Sequence, residues 1–133
     1  MTAIGIVTLW GNTNYGNRLQ NLAAERLVMR QGLSPYTLVC SSNSIGRLQR
    51  VKVKVSELLR TPQMIARRKA FDRFNQDYLH PLDISQNSEC VAFICGSDQI
   101  WNYTFPEFGP DMFLAFANNK LTCALAASFG VNS

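Results

Sequence analysis

The sequence predicts an α/β fold, a Rossmann-like parallel sheet of about four strands with flanking helices. Three observations carry that expectation. A β-branched run at the N-terminus passes through a glycine- and asparagine-rich loop into a helical pattern and then a second apolar run. Such a strand–loop–helix–strand unit builds a parallel sheet through a right-handed crossover. Two more short apolar runs follow, each separated from its neighbours by loops and helical segments. The composition supports a buried core, with 47% hydrophobic and 17% charged residues in 133. Those values exclude a disordered or low-complexity chain, and the length suits one domain over 1–133.

Each element has a local reason. Ala3–Leu9 is the first strand, short and apolar enough to be buried. Gly11–Asn17 reads as a loop. From Arg18 the apolar residues Leu19, Leu22, Ala23 and Leu27 recur on one helical face, and Gly32 supplies the stop. Tyr36–Cys40 is the second strand. Over Ile45–Arg60 the residues Ile45, Leu48, Val51, Val55, Leu58 and Leu59 share a helical face opposite Arg47, Arg50 and Lys54, although Val51–Val55 also alternates as an exposed strand would. Thr61 can cap the next helix with Pro62 at its first position. Met64, Phe71, Phe74 and Tyr78 form its stripe, and Pro81 ends it. Val91–Cys95 and Leu121–Ala127 are the third and fourth strands.

Several function classes fall away at this level. No apolar run approaches the roughly 18 residues of a membrane-spanning helix. No basic segment followed by an apolar one marks a secretory signal, so the expected compartment is cytoplasmic, with peripheral contact at the inner face of the membrane left open. The four cysteines form no Cys-x-x-Cys pair and have no histidine at zinc spacing, His80 being the single histidine. No metal site is expected. Cys40, Cys95 and Cys123 lie in apolar runs and read as buried free thiols. Nine of the 13 basic residues (Arg47, Arg50, Lys52, Lys54, Arg60, Arg67, Arg68, Lys69 and Arg73) fall in one central stretch. That stretch reads either as a solvated basic face or as a surface for anionic lipid or polysaccharide. Nucleic acid is not an expected partner, since neither an aromatic-interleaved RNA motif nor a helix-turn-helix pattern appears.

Two loops can carry chemistry, because ligands of open parallel sheets bind beyond the carboxyl ends of the strands. In Gly11–Asn17 the glycines allow close backbone approach and the following helix N-terminus favours anions. The loop is neither a Walker A nor a Gly-x-Gly-x-x-Gly motif. On its own it reads better as a tight turn in which Asn14 or Asn17 caps the helix. In Gly96–Asn102, Asp98 can act as a base for a sugar hydroxyl, and Trp101 offers an apolar face to a sugar ring. Ser97, Gln99 and Asn102 can hydrogen-bond hydroxyls. The alternative is that Ser97 or Asp98 caps a short helix while Trp101 packs in the core.

Several segments together resemble the polysaccharide pyruvyl transferase family. They are Ile4–Leu9, Asn14–Gln20, Phe71–Phe74, Gly96–Asn102, Phe113–Phe116 and Ala126–Gly130, in the family's order and spacing. Gly-Ser-Asp-Gln-Ile-Trp-Asn is the most specific of them. Leu125 departs from the pattern, where Tyr is frequent, so no hydroxyl is expected there. The resemblance implies two Rossmann-like domains facing a cleft, similar to GT-B glycosyltransferases. It implies transfer of pyruvyl from phosphoenolpyruvate to a sugar hydroxyl, giving a ketal in surface polysaccharide, without a cofactor. Its partners would be a sugar or polysaccharide acceptor, free or lipid-linked, and the phosphoenolpyruvate donor. Family members are more than twice as long, so the chain is expected to be an N-terminal part that is inactive alone and prone to self-association through an exposed sheet edge. If the chain is such an N-terminal part, Asp98 is the candidate catalytic base. Asn14, Tyr15, Gly16, Asn17, Gly96, Ser97, Gln99, Trp101 and Asn102 are then expected against the substrate. His80 matches no histidine of the family.

Overall fold

The computed structural model describes residues 2–11, 14–39, 61–105 and 108–131. The expected Ile45–Arg60 helix and Cys40 lie outside the described residues. The strands are β1 (Ala3–Val7), β2 (Ser34–Val39), β3 (Pro81–Asp83), β4 (Cys90–Gly96) and β5 (Leu121–Leu125). The helices are α1 (Tyr15–Arg30) and α2 (Pro62–Tyr78), with short 3-10 turns at Ile84–Glu89, Pro110–Phe113 and Ala115–Ala117. All strand pairs are parallel, in the order β3-β2-β1-β4-β5. The chain leaves β1 toward β2 and β3, then crosses back to place β4 on the other side of β1. The sheet is therefore Rossmann-like, with its switch point between β1 and β4.

The expected sheet of about four strands has five. The additional strand is Pro81–Asp83, which follows directly on the helix that Pro81 was expected to end. A strand this short has no periodicity to read. Proline is tolerated there because β3 is an edge, where a missing N–H breaks no interior ladder.

Alternation along the strands sorts the core into two layers. Ile4 and Ile6 of β1 face α1 and pack with Ala24 and Val28, flanked by Leu33, Ala92 and Ile94. Val7, Leu38, Phe93, Cys95, Ile100, Leu114 and Ala117 fill the opposite face. Burying Ile6 or Phe93 contributes about 1.5–3 kcal/mol each by apolar transfer. Phe93 lies directly over Gly5, where an added Cβ would stand 2.5 Å from the ring, so β1 needs a residue without a side chain at that point.

Helix α1 corrects the sequence expectation in a second way. Its inward face is not the Leu19, Leu22, Ala23 and Leu27 stripe. Leu19 and Leu27 are exposed, whereas Arg18, Asn21, Ala24, Glu25 and Val28 are buried. Three polar residues thus displace leucines from the interior, and hydrogen bonds make that possible. The Glu25 carboxylate, with no exposed surface, accepts from Thr37 Oγ1 at 2.6 Å, His80 N at 3.0 Å and His80 Nδ1 at 2.8 Å. The last bond places a proton on Nδ1. The Asn21 amide lies 3.0 Å from the same Thr37 hydroxyl. That hydroxyl has one proton, which goes to Glu25. The atom of Asn21 that faces it is Oδ1, and Nδ2 has no hydrogen-bond partner, so the amide is held in the interior by this one contact. Thr37 N donates in turn to His80 O at 2.9 Å. The single histidine is thus a structural ligand of a buried carboxylate.

Helix α2 starts as expected. Thr61 Oγ1 accepts from Met64 N at 3.3 Å, and Pro62 takes the first position. Of its predicted stripe only Phe71 is fully buried, stacked on Tyr15 with centroids 4.5 Å apart. Cys90 and Cys95 are buried free thiols, and desolvation pushes both thiol pKa values up, which disfavours the reactive thiolate. Cys123, expected to be buried, is exposed, as are all five residues of β5 on both faces of the strand.

Replacing Glu25 by Ala would leave the Thr37 hydroxyl and two His80 donors without their acceptor. Glu25→Ala is expected to cost about 3–5 kcal/mol in urea unfolding, and His80→Ala, which keeps the Thr37 bond and alters a half-exposed ring, about 1 kcal/mol. Equal losses would mean that Glu25 acts through packing alone.

Candidate functional site

The carboxyl ends of β1 and β4 open into a cleft of about 270 Å³. Leu9, Asn14, Gly16, Asn17 and Gln20 line one side, and Asp98, Gln99 and Phe105 the other. The two loops singled out from the sequence therefore meet. Asn14 caps α1, its side chain accepting from Gly16 N at 2.8 Å. Asn17 and Gln20 are one helical turn apart and project on the same side of α1. Ser97 is buried and donates from Oγ to Gln20 Oε1 at 2.9 Å, so β4 and α1 are tied together at the base of the cleft.

The Asp98 loop is fixed by residues thirty positions later. Gln99 N donates to Ser128 Oγ at 3.0 Å. With that lone pair engaged, the Ser128 hydroxyl donates to Asp98 Oδ1 at 2.8 Å. Trp101 N donates to Ser128 O at 3.1 Å. Gln99 has φ of 60°, a left-handed conformation that non-glycine residues rarely adopt, and these bonds together with Asn102 N to Gln99 O at 3.0 Å hold it there. Ser128 engages one carboxylate oxygen of Asp98. The carboxyl group itself is exposed on the cleft wall.

The remaining predicted residues do not line the cleft. Tyr15 stacks on Phe71, and the Arg67 guanidinium lies 5.1 Å from its ring centre. Gly96 is the last residue of β4, in register with Leu125. Asn102 is buried and accepts from Thr104 N at 3.0 Å. Trp101 donates from Nε1 to Met112 O at 3.0 Å, with Phe113 stacked on its ring at 5.7 Å and Phe129 at 5.6 Å. Sequence reasoning missed Leu9, Gln20, Phe105 and Ser128 as site residues. Three of them carried a signal: Leu9 closes the Ile4–Leu9 segment, Gln20 closes the Asn14–Gln20 segment, and Ser128 stands in Ala126–Gly130.

Arg18 sits behind the β1 end of this wall. It is buried, donates from Nη2 to Leu9 O at 2.6 Å, and lies 4.2 Å from the Trp10 ring centre. Nε and Nη1 have no hydrogen-bond partner. Burial lowers its pKa to about 10, so it remains charged at neutral pH. Among the described residues no group of three or more His, Cys, Asp or Glu side chains could hold a metal ion.

A parallel α/β sheet whose switch-point cleft is lined by amides and one carboxylate defines a Rossmann-like protein suited to a small polar ligand. The family model for polysaccharide pyruvyl transferase matches residues 14–133, a span that includes the whole cleft except Leu9. The chain belongs to the polysaccharide pyruvyl transferase family. No curated protein matches it. No helix among the described residues is long and apolar enough to cross a membrane.

Gly130 tests the fixed loop. It has φ of 64°, and a Cβ there would run into Gln99 Cγ. Gly130→Ala is expected to cost about 1–3 kcal/mol and to move the Gln99 amide resonance. Arg18 gives a pH test. Below about pH 10 the guanidinium is charged in folded and unfolded chains, and its burial opposes folding in full. Above it the folded chain loses the proton first, so the unfolded chain binds more protons and folding gains as pH rises. Arg18→Met is therefore expected to raise the urea midpoint at pH 7, with an advantage that narrows above pH 10.

Proposed function

We propose that the cleft holds the acceptor sugar in pyruvyl transfer from phosphoenolpyruvate, with Asp98 as the base that relieves an attacking hydroxyl of its proton. One observation carries this reading. None of the eight lining residues is cationic. Phosphoenolpyruvate carries a carboxylate and a phosphate, which call for Arg or Lys. A sugar calls for neutral donors and acceptors, which Asn14, Asn17, Gln20 and Gln99 offer.

The chemistry uses two acceptor hydroxyls. Protonation of the methylene carbon of phosphoenolpyruvate makes a cation at the adjacent carbon, and the first hydroxyl attacks it. Loss of phosphate renews the cation, and the second hydroxyl closes the ketal. Of the two hydroxyl protons, one balances the proton taken up by carbon and the other leaves with phosphate. Asp98 can receive one of them while Ser128 holds the carboxylate in place. The groups that bind the donor and protonate its carbon would lie across a GT-B-like cleft, on a second domain, and surface polysaccharide, free or lipid-linked, would be the acceptor. The 133 residues by themselves would then bind acceptor without turning over.

Amide NMR of the purified chain provides the test. A neutral oligosaccharide is expected to shift Asn17, Gln20, Asp98 and Gln99, while phosphoenolpyruvate shifts none of them and no phosphate is released. Donor binding at these residues would reverse the assignment. In an enzyme that carries this domain, Asp98→Asn is expected to lower turnover roughly 10²–10⁴-fold with little change in acceptor KM. Unchanged turnover would leave Asp98 a partner of Ser128 and nothing more.

A further inference from the structure

A sugar ring presents two kinds of surface. Its hydroxyls lie around the rim and seek hydrogen bonds, whereas the C–H bonds on its faces form apolar patches that gain by leaving water. The cleft has partners for both. Asn14, Asn17, Gln20, Asp98 and Gln99 are polar, and the large apolar side chains are Leu9 and Phe105. Trp101, the ring expected from the sequence to meet a sugar, is engaged elsewhere. Phe113 and Phe129 lie against it, and its Nε1–H is given to Met112 O. Tyr15 is stacked on Phe71. Phe105 lines the cleft itself and is half-buried.

A buried amide sets Phe105 there. Asn102 does not line the cleft, yet it ties together two residues that do. Its Nδ2 donates to Gln99 Oε1 at 3.3 Å. Its Oδ1 accepts from Thr104 N at 3.0 Å and from Thr104 Oγ1 at 2.6 Å, and its main-chain oxygen accepts from Phe105 N at 3.1 Å. Such an Asx turn reverses the chain, and it returns Phe105 to the wall that Asp98 and Gln99 occupy. We propose that Phe105 is the platform on which the acceptor's pyranose ring stacks, and that Asn102 is a positioning residue that holds it in place. This rests on the reading of the cleft as the acceptor site, and it narrows the acceptor to pyranosides that can lay C–H bonds, not axial hydroxyls, on an aromatic face. The negative face of the phenyl ring attracts the slightly positive C–H hydrogens. With one face of the sugar fixed, its rim is turned to the amides, and the plane of stacking selects the hydroxyl that reaches Asp98.

Methyl β-glucoside, a neutral pyranoside with equatorial ring hydroxyls, is the probe, and glucitol, which has hydroxyls without the ring, is its control. In NMR titrations of the purified chain the glycoside is expected to move the Phe105 ring resonances together with the Asn17, Gln20 and Gln99 amides. Glucitol should bind roughly tenfold more weakly or worse. Phe105→Ala should weaken glycoside binding roughly tenfold, and Phe105→Trp should keep it. Asn102→Ala should lose as much as Phe105→Ala although it removes no contact with the sugar. Asn102→Asp, which keeps both acceptor bonds to Thr104, should recover most of that loss. Amide resonances of β1 and β2 that stay in place show that each variant is folded. Unchanged affinity in Phe105→Ala, with the three amides still moving, would overturn the platform and leave the acceptor site standing. A glycoside that moves none of those amides in the parent chain would overturn both.

Discussion

The buried carboxylate of Glu25 is the interaction on which the arrangement of this domain depends. It belongs to α1, yet its acceptors are filled from β2, through Thr37, and from the segment joining α2 to β3, through His80. Two pieces of chain far apart from each other in sequence are thereby fixed against one helix. An apolar residue at this position could pack, but it could not specify which strand and which turn lie against it. The geometry demands these donors, and a one-residue slip of β2 would point Thr37 to the other face of the sheet. The rotation of α1 follows from the same bond set. With Glu25, Asn21 and Arg18 turned inward, Asn17 and Gln20 are turned toward the gap between β1 and β4, where the cleft opens.

This explains what could and could not be read from the residues. The strand–loop–helix–strand start, the cap at Thr61, and the opposition of Asn14–Asn17 to Gly96–Asn102 were legible, because they rest on local pattern and on a general rule for parallel sheets. The buried face of α1 was not. Hydropathy assigns Leu19 and Leu27 to the interior, and only the partners Thr37 and His80 make the polar face the cheaper one to bury. Strand β3 escaped because three residues carry no period, and Cys123 misled because an apolar run does not reveal whether anything covers it. Ser128 was visible as part of a motif, but its contact with Asp98 spans thirty residues and depends on the path of β5.

The cleft joins two kinds of rigidity. On the α1 side, Asn14 caps the helix and Asn17 and Gln20 ride on it, so their positions follow the helix axis. On the β4 side the loop holds Gln99 in a left-handed conformation against Ser128 and Asn102. A loop strained in this way keeps its shape only while every restraint is in place. Ser97 bonded to Gln20 couples the two sides, so a shift of the helix and a shift of the loop are not independent. For a ligand recognised by neutral hydrogen bonds, whose strength falls off steeply with angle, such coupling preserves selectivity.

The return of the chain from β5 to the Asp98 loop has a consequence for how the domain opens. An edge strand with little burial on either face lies at the low end of the local stability scale. When β5 peels from β4, Ser128 leaves with it, and Asp98, Gln99 and Trp101 lose their restraints at once. The Asp98 loop and β5 are therefore expected to open together, before the β1–β2 centre does. Any ligand that grips the Asp98 loop slows amide exchange along β5, although it touches no residue of that strand.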